Sequence, residues 1–154
     1  MVRTMKITKM GFTLAELLMV VVIIGIFGAI ALPRFFPQQE KARVSEAIGI
    51  LSAIRQGELA YRLENTGYLA QTTATDATAT AKWNQIGMDN PNTTANRKFT
   101  YLVQYTIGVD SFKAQATRMD GDYKDKCIVL DQSGTWSGNH PYGSGYTANF
   151  TCLT

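Results

Sequence analysis

Residues 12–32 form an uninterrupted apolar run whose only charged side chain is Glu16. An α-helix rises about 1.5 Å per residue, so this run would be about 31 Å long, which matches the hydrocarbon core of a bilayer. A carboxylate inside such a segment costs on the order of 3 kcal/mol to insert, so we expect Glu16 to have a partner. The next basic residue is Arg34, about five turns further on, and the partner is therefore expected outside this helix.

Two other interpretations of the apolar run compete with this one. A secretory signal peptide has an apolar core of about 7–15 residues followed by a small-residue cleavage site, and Ala29-Ile30-Ala31 offers such a site. The run is longer than that core, however, Glu16 interrupts it, and cleavage would leave Leu32-Pro33 at the new N-terminus. A plain membrane anchor gives Glu16 no role. Both interpretations therefore explain the run less well than a segment that uses its carboxylate.

The positive charge of the chain is concentrated at its N-terminus. Arg3, Lys6 and Lys9 precede the apolar run without any acidic residue. They are three of 15 basic residues, so the remainder holds as many basic as acidic side chains. Such a neutral remainder has no basic run that would bind phosphates, and nucleic acid is not an expected partner. The basic leader instead follows the positive-inside rule, which keeps the N-terminus in the cytoplasm and sends the rest across the membrane.

Two prolines follow the apolar run. A proline removes a backbone donor and clashes with the preceding turn, so Pro33 and Pro37 predict that the helix breaks near 33–37. Gly25 and Gly28 weaken the turns before this point by up to about 1 kcal/mol each, relative to alanine.

Beyond the prolines the pattern is that of an amphipathic helix. Apolar residues recur every three or four positions, and Asn65-Thr66-Gly67 supplies a C-cap signal. The sequence therefore predicts one long, interrupted helix over 12–65, apolar all round in its first half and amphipathic in its second. The apolar stripe is Val44, Ala47, Ile48, Leu51 and Ile54, with Glu40, Arg43, Glu46, Arg55, Glu58 and Arg62 on the other faces.

Residues 66–98 differ from the helix in amino-acid composition and are predicted to form a loop between the helix and the sheet. Positions 71–80 are small, polar and low in complexity, which predicts a mobile surface loop. Trp83, Ile86 and Met88 are expected to pin the second half of this segment to the core.

From Phe99 onward the apolar period changes to two. It predicts strands over 99–107, 112–117 and 127–130, and a fourth around Thr135-Trp136. Strands joined by short turns pair antiparallel. Because the apolar face of the sheet needs a cover, the helix stripe is expected to pack on it. The predicted fold is α+β, with the second half of the helix on a three- or four-stranded antiparallel sheet within 99–154.

The two cysteines, Cys127 and Cys152, lie close to the C-terminus. If this part of the chain is exported, it reaches an oxidising compartment, where the pair can close a disulfide loop. Two unpaired thiols are the alternative. A zinc site is disfavoured, since these cysteines and His140 supply only three ligands.

The segment Gly11-Phe12-Thr13-Leu14-Ala15-Glu16, between the basic leader and the apolar helix, resembles the class III leader of type IV prepilins and pseudopilins. With the proline break, the loop, the sheet and the cysteine-bounded end, the layout resembles that of type IVa pilins and their lollipop fold. Ala15 departs from the family pattern, which usually has a bulky aliphatic residue there.

The resemblance implies roles for individual residues. A prepilin peptidase would cleave after Gly11, removing residues 1–11, and Phe12 would become an N-methylated N-terminus. Glu16 would pair with the amine of Phe12 on a neighbouring subunit, which would supply its missing partner. The stretch from Gly25 to Pro33 would melt in the assembled filament.

No enzyme activity and no cofactor are predicted. His140, the only histidine, lies in Asn139-His140-Pro141, which is typical of a turn, and the sequence contains neither a nucleophile elbow nor a glycine-rich phosphate loop.

The acidic cluster Asp120, Asp122 and Asp125 is a weak calcium candidate, because some type II secretion pseudopilins bind calcium near the end of their sheet. Its spacing is not that of an EF-hand, and Lys124 and Lys126 neutralise it, which favours a solvated turn.

The sequence therefore predicts the major structural subunit of a type IV pilus. Such a subunit would start in the inner membrane and polymerise with itself into a surface filament, aided by the peptidase and by an assembly platform with its ATPase. The alternatives are a type II secretion pseudopilin, which forms a periplasmic piston, and a minor pilin or membrane-anchored binding module. The cysteine pair favours the pilin, because major pseudopilins usually stabilise this region with calcium. Motility, adhesion and DNA uptake all fit such a filament.

Overall fold

A computed structural model of the chain describes residues 11–106, 108 and 110–154, without the side chains of residues 32–36. The leader residues Arg3, Lys6 and Lys9 and the predicted strand position Ile107 lie outside the described residues. The chain divides into two compact units after Gln39, and each is described by itself. The elements are α1 (Leu14–Glu64), α2 (Ala77–Gln85), β1 (Phe99–Thr106), β2 (Ser111–Arg118), β3 (Cys127–Asp131) and β4 (Trp136–Gly138), with single 3₁₀ turns at Pro91–Thr93 and Gly121–Tyr123.

Helix α1 runs from Leu14 to Glu64 without interruption. Its stretch Leu14–Ala31 is long and apolar enough to cross a membrane. The predicted break at Pro33 and Pro37 is wrong for the chain as described. A proline removes only one donor, and its fixed φ of about −65° is itself helical, so neighbouring hydrogen bonds carry the helix past it. Melting of this segment inside a filament stays a prediction.

The second unit contains a four-stranded antiparallel sheet in the order β1-β2-β3-β4. Phe99 lies opposite Arg118 on β2, and Ala116 lies opposite Ile128 on β3. The short β4 pairs Trp136 with Leu130. The predicted α+β class and its antiparallel sheet are confirmed.

One face of the sheet and the second half of α1 enclose the core. The predicted helix stripe supplies four buried residues, Val44, Ala47, Leu51 and Ile54, while Ile48 is partly buried. Trp83 and Ile86 are also buried, and Met88 packs against them, as predicted. Removing this apolar surface from water stabilises the fold by about 25 cal/mol per Å². The sheet contributes Phe99, Tyr101, Val103, Phe112, Ala114, Ala116, Ile128 and Leu130.

The threonine-rich stretch is more ordered than its composition indicated. Helix α2 begins at Ala77, and the Asp76 side chain caps it by accepting a hydrogen bond of 2.8 Å from the Ala79 N–H. The prediction that all of 71–80 is a mobile loop is therefore wrong at its end. Burial of Ala79 and Trp83 against the core stabilises a helix that propensity alone would leave marginal.

The C-terminal segment is fastened to the outer face of the sheet. Cys127 and Cys152 form the predicted disulfide, with an S–S distance of 2.05 Å. Gln115 on β2 accepts a hydrogen bond from the Leu153 N–H (2.6 Å) and donates one to the Leu153 carbonyl (3.0 Å). Strand alternation alone would expose Gln115 to water, and the returning tail explains why it is buried.

Candidate functional site

The junction between Gly11 and Phe12 lies immediately before α1. Both residues are exposed, Phe12 with 78% of its surface accessible. Apart from its chain neighbours, no described residue has an atom within 4 Å of a Cβ added at Gly11. The backbone at this junction is therefore open to an approaching molecule, and the absence of a side chain at Gly11 leaves its carbonyl unshielded.

Thr13 and Glu16 cap the N-terminus of α1 reciprocally. Glu16 Oε2 accepts hydrogen bonds from the Thr13 N–H and the Thr13 hydroxyl, both at 2.8 Å. Thr13 Oγ1 in turn accepts from the Glu16 N–H at 3.2 Å. This is the geometry of a capping box, which satisfies backbone donors that the helix start leaves free. The sequence carries its signature, Thr-x-x-Glu, but our sequence analysis did not use it.

This cap gives Glu16 a hydrogen-bond partner that the sequence analysis did not consider. The sequence analysis expected a charged partner outside the helix, and that stays a prediction. Thr13 carries no charge, however, and none of the ion pairs among the described residues includes Glu16. The cap satisfies the oxygen Oε2 but brings no counter-charge to Glu16 from the described residues.

The helix surface that follows the cap is apolar and accessible. None of the stretch Leu14–Ala31 is buried within the chain, and its large side chains are between 45% (Ile23) and 78% (Leu14) exposed. A contiguous apolar surface of this kind marks a contact with lipid or with another protein. The chain by itself supplies no cover for it among the described residues.

A group of buried polar and charged side chains surrounds Glu40 in the other unit. Glu40 Oε1 accepts hydrogen bonds from Arg118 Nε at 2.8 Å and from His140 Nε2 at 3.1 Å. Glu40 Oε2 accepts from Arg118 Nη2 at 3.2 Å and from Arg43 Nη1 at 3.3 Å. Arg118 also donates to the Lys98 carbonyl and to Asp120. This ion cluster links α1, β2 and the loop after β4.

The electrostatics of the cluster favour an ionised Glu40 beside a neutral His140. Burial raises the pKa of Glu40, but hydrogen bonds and charge from Arg118, with help from Arg43 and His140, bring this pKa below its ordinary value. Burial, together with the charges of Arg118 and Lys126, lowers the pKa of His140 although Glu40 acts to raise it. Because the Tyr142 N–H donates to Nδ1 at 3.4 Å, the neutral ring carries its proton on Nε2 and donates it to Glu40.

The sequence analysis missed this cluster. It placed Glu40 and Glu58 on exposed faces of the helix, but both are buried, at 5% and 0% exposure. It placed His140 in a turn, and this ring is completely buried. A signal was available, because Glu40 lies four residues before Val44 and Glu58 four residues after Ile54, so both extend the apolar stripe at helical spacing.

The acidic residues considered for calcium do not converge. Asp120 accepts hydrogen bonds from Lys98 Nζ at 3.2 Å and from Arg118, and these contacts lower its pKa although burial opposes them. In the part of the chain that the structure describes, no group of three His, Cys, Asp or Glu residues could hold a metal ion. Asp120 belongs to the ion cluster, and Asp122 and Asp125 do not join it in a metal site.

Comparison with known proteins identifies relatives of this chain. No family model matches the chain. The chain is 31% identical to a fimbrial protein of Pseudomonas aeruginosa over 149 residues, which cover 88% of this chain and 95% of that protein. It is 28% identical to the type IV major pilin protein PilE1 of Neisseria gonorrhoeae over 126 residues, or 82% of this chain and 53% of PilE1. It is 40% identical over 58 residues to the type II secretion system core protein G of Pseudomonas aeruginosa, or 38% of this chain and 41% of that protein. The matches span about half the length of the latter two relatives.

Proposed function

Because this chain belongs to the type IV pilin family, we propose that it is the major structural subunit of a type IV pilus. The observation that carries the proposal is the exposed apolar surface of Leu14–Ala31, which follows directly on the capped helix start. Each Å² of this surface that leaves water contributes about 25 cal/mol. Lipid would cover it in the membrane, and the same segments of neighbouring copies would cover it in a filament.

We propose that a prepilin peptidase cleaves after Gly11 and that Phe12 becomes an N-methylated N-terminus. The exposure of both residues and the open space at Gly11 support access by a peptidase. Cleavage removes the basic leader and creates a positive amine on Phe12, four residues before the negative charge of Glu16. The Glu16 carboxylate would then pair with the Phe12 amine of the adjacent subunit and set the register between helices.

The proposed path of the subunit begins in the inner membrane and ends at the cell surface. Residues 12–32 of the precursor would span the membrane. An assembly platform with its ATPase would then add the subunit to the growing filament. The disulfide Cys127–Cys152 supports this path, because such bonds persist in oxidising compartments outside the cytoplasm. The proposal includes no catalytic role, since the matched relatives have the names of pilins and of a secretion component.

A type II secretion pseudopilin is the second candidate, and the match to core protein G supports it. That match covers only 38% of the chain, whereas the fimbrial protein matches along 88% of it. The two candidates differ in product, since a pilin forms long surface filaments and a pseudopilin forms a short periplasmic assembly. A minor pilin would instead be present in few copies per filament.

Electron microscopy of sheared cell-surface filaments, with intact mass measurement of their subunit, tests the proposal. The expected result is abundant filaments built of this chain, with N-methylated Phe12 at its N-terminus. Gly11→Leu should trap the full-length precursor in the membrane, and Ala31→Leu serves as a control at the alternative cleavage site. A subunit that begins at Leu32, or a chain found only in the periplasm, would contradict the pilus proposal.

A further inference from the structure

Glu58 is a carboxyl group completely buried in the second unit. Its exposed fraction is 0%, and it is not part of the ion cluster around Glu40. Glu58 Oε2 accepts a hydrogen bond of 2.9 Å from the Leu69 N–H, 11 residues further along the chain. Glu58 Oε1 has no hydrogen-bond partner among the described residues. Half of this buried carboxyl group is therefore unsatisfied, which is rare for polar atoms in a folded protein.

The groups that face Glu58 carry no compensating charge. The side chain of Gln71 lies against the carboxyl, and its Nε2 donates instead to the Lys82 carbonyl at 3.2 Å. The neighbouring basic residues of α1 bind elsewhere, Arg55 to the Gln132 carbonyl and Arg62 to Asp110. The connecting segment 69–71 and strand β1 contain no charged residue. Burial therefore raises the pKa of Glu58 to about 7, against the smaller effects of Leu69 and Gln71.

Burial favours the neutral form of Glu58. An ionised carboxylate needs hydrogen-bond donors, and Glu58 Oε1 has none among the described residues. The bond from the Leu69 N–H favours the ionised form, but the cost of burying a charge outweighs it.

The segment that Glu58 holds connects three elements. It leaves the end of α1, it leads to α2, and it meets the edge of the sheet at one point. There Gln71 and Val103 exchange two backbone hydrogen bonds, each of 3.0 Å. The adjoining Tyr68 also packs edge-to-face on Tyr105 of β1, so Glu58, this bridge and the Tyr68 ring together hold the segment.

We propose that Glu58 is a pH-sensitive latch, which holds residues 69–71 against α1 and the edge of β1 when protonated and favours release of this segment when ionised. Release breaks the two hydrogen bonds between Gln71 and Val103 and leaves these backbone groups of the edge strand unpaired. The inference does not rest on the proposed pilus function.

Amide hydrogen exchange of the full chain in detergent micelles tests the latch. Protection of the amides of Leu69, Gln71 and Val103, corrected for the intrinsic effect of pH, should fall about tenfold per pH unit between pH 5 and 7 and then level off. Glu58→Gln, which keeps the shape and cannot ionise, should abolish this dependence. Glu64→Gln changes an exposed carboxyl of the same helix and should leave the dependence unchanged.

A second measurement does not depend on any variant. Carbon NMR of the Glu58 carboxyl in the unmodified chain should show its titration near neutral pH rather than in the ordinary range of glutamate. Titration near pH 4.5, or protection that does not change with pH, would overturn the proposal. An equal pH dependence in Glu58→Gln would overturn it as well.

Discussion

Arg118 and Glu40, 78 positions apart in the chain, form a buried ion pair through two parallel hydrogen bonds of 2.8 and 3.2 Å. Their side chains are only 3% and 6% exposed. The guanidinium fork matches the two carboxylate oxygens, which makes this contact more directional than a single charged hydrogen bond. The pair fastens the start of the second unit on α1 to the end of β2.

Removing one partner of this pair should destabilise the second unit strongly. Glu40→Ala leaves the buried Arg118 charge with only the more exposed Asp120 as its counter-charge, and we expect the free energy of unfolding to fall by up to about 3–5 kcal/mol. The double variant Glu40→Leu, Arg118→Met should lose much less, because it removes both charges. Denaturant unfolding of the full chain in micelles, followed by the fluorescence of Trp83 and Trp136, measures these differences.

The exposed ion pair between Arg62 and Asp110 provides the matched control. It has a similar N–O distance of 2.8 Å, but both side chains are more than a third exposed. Asp110→Asn should therefore change stability far less than Glu40→Ala. Equal effects of the two substitutions would show that burial does not determine the contribution of the Glu40–Arg118 pair.

His140 should make the fold sensitive to mild acid. Burial lowers its pKa in the folded chain, so the unfolded chain binds the proton first as the pH falls through about 6.5. The contribution of neutral His140 is complete above this pH, and below it stability should fall by at most about 1.4 kcal/mol per pH unit. His140→Gln keeps a donor for Glu40 without titrating.

The measurement is the difference in unfolding free energy between the unmodified chain and His140→Gln. Comparing these two chains cancels the opposite contribution of Glu58, whose raised pKa removes stability as the pH rises from about 4.5 towards 7. The difference should be constant above pH 7. At pH 5.5 the unmodified chain should have lost stability relative to His140→Gln. A constant difference over the whole range would show that His140 does not titrate differently on folding.

Gly57 and Gly49 of α1 should respond in opposite directions to alanine. A Cβ on Gly57 would overlap the backbone oxygen of Ile86, just after α2, and backbone atoms have little room to move. Gly57→Ala should therefore cost about 1–3 kcal/mol. Outside its own helix, no described residue has an atom within 4 Å of a Cβ on Gly49, so Gly49→Ala should stabilise the helix by up to about 1 kcal/mol. Stabilisation by Gly57→Ala in the same unfolding assay would contradict the close approach of α1 to Ile86.

Local patterns predicted most of this fold. Spacings of three and four found the buried stripe Val44, Ala47, Leu51 and Ile54, and alternation found the buried face of β1 and β2. The cysteine pair was also predictable, because the chain has only two cysteines. The helix and strand patterns are visible within a few neighbouring residues, and two cysteines can form only one intramolecular pair.

The sequence analysis missed contacts between distant residues. Glu40 and Glu58 were placed on the polar faces of the helix because charged residues are usually exposed. Their burial depends on hydrogen bonds from Arg118 and Leu69, which are remote from them in the sequence. Helix α2 was missed because its stability comes from packing of Trp83 rather than from composition. The break at Pro33 was overestimated because a proline removes one hydrogen bond from a helix of 51 residues.

Loss of the disulfide should weaken the second unit by about 3 kcal/mol. The bond closes a loop with a sequence separation of 25, and the chain-entropy model gives this magnitude for a loop of that size. Cys152→Ser should lower the free energy of unfolding, and reduction of the unmodified chain should lower it equally. A reducing agent should have no effect on the variant, and a further loss of stability there would point to some other reducible group.

Glu16 and Thr13 should separate a role in helix capping from a role in subunit assembly. Thr13→Val removes the hydroxyl of the cap but keeps the charge of Glu16. Glu16→Gln keeps an acceptor oxygen for the Thr13 N–H but removes the charge. If Glu16 pairs with the Phe12 amine of a neighbouring subunit, Thr13→Val should form filaments and Glu16→Gln should form few or none.

Glu16→Ala should lose both features and should also fail to form filaments. It should still be inserted and cleaved, because removing a charge makes the segment easier to insert. The yield of sheared filaments and the mass of the membrane-bound subunit measure assembly and cleavage separately. If Glu16 acted mainly by capping the helix, assembly would depend on the hydrogen bonds of the cap and not on the charge. Glu16→Gln would then assemble well, and Thr13→Val would assemble poorly.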